Sequence, residues 1–500
     1  MRAQDDDPTP EAKKVPTGRV SRTARVGGLV TGQGMRWAGM RAANRVRSPE
    51  RAAAAENERI AATVNELVQQ LGRMRGAAMK VGQMISMVEL DGLDEEQRDE
   101  LQRTLAALRD DVPPVPFARL EKLLRKELGA PLGTVFSEFD EHAFAAASIG
   151  QVHRATTIDG HQVVAKIQYP GVAEAVEADL RNAMLLLPLV KRLAPGLDVK
   201  AMATEMRERI AEELDYELEA QHQRRIERLT RGHPFVCVPR VYTELSSRRV
   251  LVSEYVEGDR FEEVRRADEA RRDRYGEIVF RFFFGLLYRD RIALGDPHPG
   301  NYLLRPDGRV AFLDFGLVRD VDAARVAAER AIALAVRDKD ASGLQPALIS
   351  GGYLPADRAE QVDAEFALRM MRHATRWYAV PGERRFGGSR RGRDRDQPQS
   401  DGDPPADDRA GPQRDGDAPS DDRTRPTAEQ REEFRSQVNQ FTMPPDAILI
   451  RRMHGIVAVV LQQLRAGGDW GAIAAEYLHG APSATELGNA EVEYFAHRRL

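Results

Sequence analysis

Three oxygen-bearing side chains stand at a spacing that phosphate chemistry could use. Asp296 and Asn301 lie in Gly295-Asp296-Pro297-His298-Pro299-Gly300-Asn301, and Asp314 follows in Phe312-Leu313-Asp314-Phe315-Gly316. Phosphoryl transfer needs a carboxylate that orients the attacking group and oxygen ligands that hold magnesium against the phosphates. Magnesium prefers such hard donors. An Asp-x4-Asn loop and a hairpin ending in Asp-Phe-Gly supply all three groups from one hairpin and its flanks. Ordinary loop and strand-end acids would not need this spacing. His298 reads as a residue that orders the loop by hydrogen bonding, rather than as the base.

A lysine must also reach the nucleotide phosphates, and Lys166 in Val163-Val164-Ala165-Lys166 is the candidate. Period-two alternation puts Val164, Lys166 and Gln168 on one face of a strand. Alone, such a lysine would equally suit a solvated strand. Here it follows a turn of small residues, Ala145-Ala146-Ala147-Ser148-Ile149-Gly150-Gln151, and precedes the Asp/Asn/Asp set. Small residues let backbone amides approach phosphates, although alanine has less positive-φ freedom than glycine.

Two predicted hairpins position these groups. The first pairs 151–156 with 162–168 around Asp159-Gly160, and the second pairs 302–304 with 309–313 around Pro306-Asp307-Gly308. Apolar residues at Ile60, Val64, Leu67, Leu71, Met74, Ala78, Val81, Ile85 and Val88 predict a long amphipathic helix with one buried seam. Lys80 and Gln83 lie on a face beside that seam. Further helices are expected over 95–108, 116–128, 173–229 with a break near Pro195-Gly196, and 268–290, the last carrying Phe280, Phe282, Phe283 and Phe284 into a core. A strand is expected over 250–255. Residues 387–427 contain no Val, Ile, Leu, Met, Phe, Trp, Tyr or Cys. They cannot bury enough apolar surface to offset chain entropy and are expected to be a disordered insertion within a helical domain.

Composition narrows the class. The chain has 500 residues, 42% of them hydrophobic, with 74 basic and 78 acidic side chains giving a formal charge of −4. That balance argues against a globally basic nucleic-acid binder. One cysteine, Cys237, excludes intrachain disulfides and cysteine-cluster zinc, and its apolar neighbours suggest a buried, inert thiol. The start, Met1-Arg2-Ala3-Gln4-Asp5-Asp6-Asp7, has no apolar signal region. No stretch reaches ~18 uninterrupted apolar residues; the nearest, 447–464, contains Arg451, Arg452 and His454. A cytoplasmic placement is expected. Residues 1–50 are basic and interleaved with Val26, Leu29, Val30, Met35, Trp37 and Met40, which fits a solvated tail or an amphipathic stretch against anionic lipid.

Lys80-Val81-Gly82-Gln83, the run Ala145–Gln151, Glu213-Leu214-Asp215 and Gly295–Asn301 together resemble the UbiB (AarF) family of atypical, protein-kinase-like proteins. The resemblance covers most of 60–340. It implies an α+β, protein-kinase-like two-lobed fold, mostly helical, with an N-terminal helical extension over the active site. It also implies ATP and Mg2+ as cofactors, ATPase activity, and support of isoprenoid-quinone biosynthesis at a membrane, so that a quinone precursor or isoprenoid lipid joins ATP as a partner and the protein sits peripherally at the membrane's inner face. Carried over, Lys166 is the phosphate-binding lysine, Asp296 the catalytic-loop acid, and Asn301 and Asp314 the metal ligands. Ala145, Ala146, Ala147, Ser148, Ile149, Gly150 and Gln151 form the nucleotide loop. Glu254 falls where a hinge would meet adenine, or is a solvated strand-end acid. Lys80, Gly82, Gln83, Glu213 and Asp215 are the family's signature residues, those with polar side chains facing the nucleotide.

The implied organisation is a basic segment at 1–50, a helical extension at 51–128, an N-lobe with a helical insert at 129–258, and a C-lobe at 259–500. The insertion at 387–427 departs from the family pattern, and the C-terminal membrane span of some members is missing. The chain enters helix by about Ala323, soon after Gly316, leaving no room for a long activation segment and arguing against a protein substrate. Two other functions compete with an ATPase or small-molecule kinase: an aminoglycoside- or choline-type phosphotransferase, and a nucleotide-binding scaffold without turnover.

Overall fold

The computed structural model describes residues 115–500 apart from 148, 179, 182–183, 185–203, 205–206, 209, 296–297, 388–432, 435 and 499–500, together with scattered positions between 36 and 55. The expected helix over 60–88 with Lys80, Gly82 and Gln83, the helix over 95–108, Ser148, the break at 195–196, Asp296 and the insertion beyond Gly387 lie outside the described residues.

In chain order the elements are α1 (Phe117–Leu128), β1 (Phe136–Phe139), β2 (Ala145–Ala146), β3 (Gly150–Thr157), β4 (Gln162–Gln168), α2 (Tyr216–Thr230), β5 (Val236–Cys237) and β6 (Val250–Glu254). They continue with β7 (Asp259–Arg260), α3 (Glu269–Tyr288), β8 (Ile292–Leu294), β9 (Tyr302–Leu304), β10 (Val310–Phe312) and β11 (Val318–Asp320). Three later helices matter below: α4 (Ala323–Asp338), α5 (Ala364–Ala379) and α6 (Pro445–Leu464). The chain divides into two compact units. One takes residues up to Gln221 with Arg240–Tyr255, and the other takes His222–Pro239 and everything from Val256 onward.

The first unit is an antiparallel sheet in the order β1-β3-β4-β6, with β2 also paired to β3. Gly160 adopts φ +80° in the Asp159-Gly160 turn, the left-handed conformation that a tight hairpin requires. Lys166 then sits opposite Val152 on one side and Leu251 on the other. Alternation sends Val163, Ala165 and Ile167 into a core shared with Leu120, Leu123 and Leu124 of α1. Val164 and Lys166 stay half-buried on the opposite face.

Gly150 opens β3 because nothing larger fits. A β-carbon there would lie 2.2 Å from the Ile167 carbonyl oxygen, a backbone atom that cannot swing away. Gly150→Ala should therefore destabilise the protein by roughly 1–3 kcal/mol, the usual cost of overpacking. A thermal melt checks this, and an unchanged midpoint would contradict the packing.

The second unit is built on α3. Asp268 caps it by accepting from Arg271 N, and Phe280, Phe282, Phe283 and Phe284 are all buried. From Tyr275 to Tyr288 every residue but Glu277 is buried, so this part of the helix is enclosed on all sides. Phe282 stacks on Phe312 of β10, with ring centroids 3.6 Å apart. β9 and β10 form the second expected hairpin, turning at Gly308 with φ +80°, and β5 joins β10 in parallel. Cys237 on β5 is only half-buried, and the Arg305 guanidinium lies 3.3 Å from its sulfur, so the expected fully buried thiol is corrected.

α6 contains the apolar stretch noted in the sequence. Asp446–Leu464 is long and apolar enough to cross a membrane, yet half of that window is buried within the protein. Arg451 donates to Glu329 of α4 at 2.6 Å, an ion pair that suits a packed core helix.

Candidate functional site: a lysine–glutamate pair and a paired Asn/Asp hairpin

In the first unit the strand face expected to carry chemistry meets an unexpected carboxylate. Lys166 Nζ donates to both oxygens of Glu219 on α2, at 2.8 and 2.9 Å. The Lys166 side chain is 21% exposed and that of Glu219 only 5%. Charges this far from water need such direct hydrogen bonding to offset lost hydration. The ammonium also lies 4.8 Å from the centre of the Tyr216 ring, within cation–π range.

The sequence pattern alone does not single out Glu219. Glu213, Asp215, Glu217 and Glu219 crowd one short stretch, and only the three-dimensional path of α2 selects among them. Asp215 has a different local task. Its Oδ1 accepts from Glu217 N and Leu218 N at 3.1 and 3.2 Å, capping the start of α2, the usual work of an aspartate at that position. Its other oxygen lies 3.5 Å from Arg248 Nε. Asp215 therefore fixes the helix that presents Glu219 to Lys166. Glu213 is half-buried just ahead of the cap.

The small-residue turn runs from β2 into β3, closed by Ala147 N donating to Gly150 O at 2.9 Å. Ala146 is exposed and Ala145 and Ala147 half-exposed, whereas Ile149 is buried. Gln151 is turned inward and 2% exposed. Its Oε1 accepts from Val115 N at 3.0 Å, and its Nε2 lies 2.9 Å from His153 Nε2. Burial lowers the His153 pKa from its usual value, although a bond to the Asp140 carbonyl opposes the shift. The Gln151 side chain thus serves the interior, and only its backbone faces the turn. Glu254 ends β6 with its carboxylate accepting from Arg240 N at 3.2 Å.

The second unit holds the hairpin pair. Gly295 is packed so tightly that a β-carbon would lie 2.1 Å from Leu317, which sets the backbone where the Asp-x4-Asn loop begins. His298 accepts from Gly300 N at 3.1 Å, the loop-ordering task expected of it. Asn301 O accepts from Leu313 N at 3.0 Å, extending the β9–β10 register by one step and bringing Asp314 beside Asn301. Both line a cleft with Leu294, Tyr302, Leu313 and Leu317. Asp314 Oδ1 accepts from Gly316 N at 2.9 Å. Phe315 is buried, its carbonyl 3.2 Å from His222 Nδ1.

One carboxylate and one amide oxygen are hard donors of the kind a divalent cation such as magnesium takes. Among the described residues, no group of three or more His, Cys, Asp or Glu could hold a metal.

Comparison with known proteins decides the family. The ABC1 atypical kinase-like domain matches residues 107–348. The atypical kinase COQ8 of Saccharomyces cerevisiae, named as mitochondrial, is 30% identical over 351 residues, covering 69% of this chain and 68% of that protein. The chain belongs to the UbiB family of atypical kinase-like proteins. COQ8B of Danio rerio, also named as mitochondrial, is 32% identical over 312 residues, covering 62% of this chain. The chain spans about half that relative's length, 49%. A solved structure of Rv3197 with erythromycin, from Mycobacterium tuberculosis, is 28% identical with a TM-score of 0.55, covering 87% of this chain and 100% of that one. The α+β kinase-like fold follows.

Proposed function

We propose that this UbiB-family chain is a Mg2+-dependent ATPase or small-molecule kinase that supports isoprenoid-quinone or lipid metabolism. The observation that carries the reading is the Lys166–Glu219 pair, which holds an ammonium in the geometry a kinase-like site uses for the nucleotide phosphates. Asn301 and Asp314 would hold magnesium, which when bound neutralises charge on the phosphates. Asp296 would orient the attacking hydroxyl or water. Backbone amides of the Ala145–Gln151 turn would contact phosphate, with Glu254 near the base. Lys80, Gln83, Glu213 and Asp215 would complete the family's signature around the nucleotide.

A small-molecule or lipid acceptor is favoured over a protein. Only β11 separates Gly316 from α4, and β11 is paired to β8, so the stretch where peptide substrates dock in protein kinases is missing among the described residues. The relatives are named as mitochondrial atypical kinases; a quinone precursor as acceptor and a peripheral membrane position come from the family resemblance of the sequence motifs.

The test is a melt and phosphate-release assay on the purified chain with Mg-ATP, with and without anionic lipid, followed by quinone profiling of a deletion strain complemented with the chain. A Mg-dependent rise in melting temperature, phosphate release and restored quinone are expected. Because Rv3197 was captured with erythromycin, the melt includes a macrolide arm. A shift with erythromycin and none with Mg-ATP would overturn this reading.

A further inference from the structure

Among the described residues, the cations on one face of helix α5 have no ion-pair partner. Arg369, Arg372, His373 and Arg376 follow the i, i+3, i+4, i+7 spacing of one helix face and line a groove with Glu365 and Leu368. Arg369, His373 and Arg376 are exposed and Arg372 is half-exposed. Among the described residues none of the four has a side-chain hydrogen bond or an ion pair, and Glu365 is the single carboxylate lining the groove. Other arginines of this unit are paired, as in Arg225–Asp320, Arg325–Asp446 and Arg385–Asp273. An unpaired row of like charges on one helix face is unfavourable until a counter-charge arrives.

The chain carries such a counter-charge on a connection that leaves α5 at one end and returns at the other. At the C-terminal end, Arg384 donates to the Arg376 carbonyl and the Phe386 ring packs 5.9 Å from Trp377. At the N-terminal end, the Phe434 ring lies 5.5 Å from Phe366, and Gln437 accepts from Asp363 N at 3.0 Å. Between these anchors, Asp394–Asp422 contains ten aspartates against three arginines and no large apolar side chain. A partner tethered at both ends of the element it binds engages it intramolecularly, with an advantage no free competitor shares.

We propose that the arginine face of α5 is the docking surface for the chain's own acidic stretch, Asp394–Asp422. The contact is electrostatic, needs no apolar anchor, and is independent of the nucleotide reading.

The full-length chain is digested with an arginine-specific protease, and cleavage after Arg409 and Arg414 is followed at low salt. Docking slows these cuts. The variant R369E/R372E/R376E should be cut about tenfold faster than wild type, and salt at about 0.5 M should erase the difference by screening. Adding Asp401→Lys, Asp403→Lys, Asp421→Lys and Asp422→Lys to that variant should restore protection, which a merely misfolded face could not do. Equal low-salt cleavage of wild type and the face variant overturns the proposal, as does failure of the charge swap in a protein with a wild-type melt. Co-sedimentation with phosphatidylglycerol vesicles provides the competing arm. Vesicle binding lost on charge reversal, with cleavage unchanged, would give the face to a lipid surface instead.

Discussion

Asp314→Asn is expected to abolish magnesium-dependent ATP binding while leaving the fold intact. The substitution separates two tasks of one side chain. Asp314 Oδ1 accepts from Gly316 N at 2.9 Å, and an asparagine oxygen can accept the same bond, so the turn after β10 keeps its shape. What disappears is the negative charge beside Asn301, whose own oxygen is neutral. Magnesium is held through carboxylates plus phosphate oxygens, and a site with two neutral amides cannot replace that charge. For wild type, ligand at a hundredfold excess over its dissociation constant adds roughly 2.7 kcal/mol of stability, enough to move a melting curve by several degrees. The mutant should melt like wild type without ligand and show no Mg-ATP shift. An undiminished shift would remove Asp314 from the metal site, and a lowered melt without ligand would mean the turn itself had failed.

The hairpins were legible because their determinants are local. Asp159-Gly160 and Pro306-Asp307-Gly308 mark the turns, period-two alternation sets which side chains share a face, and both strand pairs lie where that pattern puts them. The enclosed α3 was legible for a similar reason, since four phenylalanines within five residues leave no face for solvent. Glu219 was not legible. Its contact with Lys166 spans 53 positions, and choosing it over Glu213, Asp215 or Glu217 depends on where α2 runs. The inward turn of Gln151 escaped for a related reason. Alternation assigns faces, but whether a polar residue on a face meets solvent depends on what covers it, and here Val115 from a distant segment supplies the partner. Asp215 escaped as well. Its proximity to the nucleotide came only from resemblance, and its capping of α2 depends on a break at Leu214-Asp215 that the expected helix over 173–229 did not include.

Glu219→Gln should lower ATP turnover by about ten- to a hundredfold, with a smaller effect on global stability. Glutamine keeps the size of the side chain and one accepting oxygen, so α2 can still pack against β4. It loses the charge that makes both contacts to Lys166 strong, and a hydrogen bond between charged groups is worth roughly 1.5–3 kcal/mol. Each ~1.4 kcal/mol of transition-state stabilisation corresponds to a factor of ten in rate. Lys166→Met should cost at least as much, because it removes the phosphate contact together with the pair. The double mutant decides whether the two residues act as one unit: if Glu219 serves turnover through the ammonium, the double mutant's loss should match that of Lys166→Met alone. Strictly additive losses in the cycle would mean that Glu219 acts elsewhere. Capping extends the same argument one step back along the chain. Asp215→Ala removes the oxygen that accepts from Glu217 N and Leu218 N, at about 1 kcal/mol for a helix cap, and so loosens the turn that aims Glu219. Its turnover should fall between wild type and Glu219→Gln, and Asp215→Asn, which can still cap, should restore most of it.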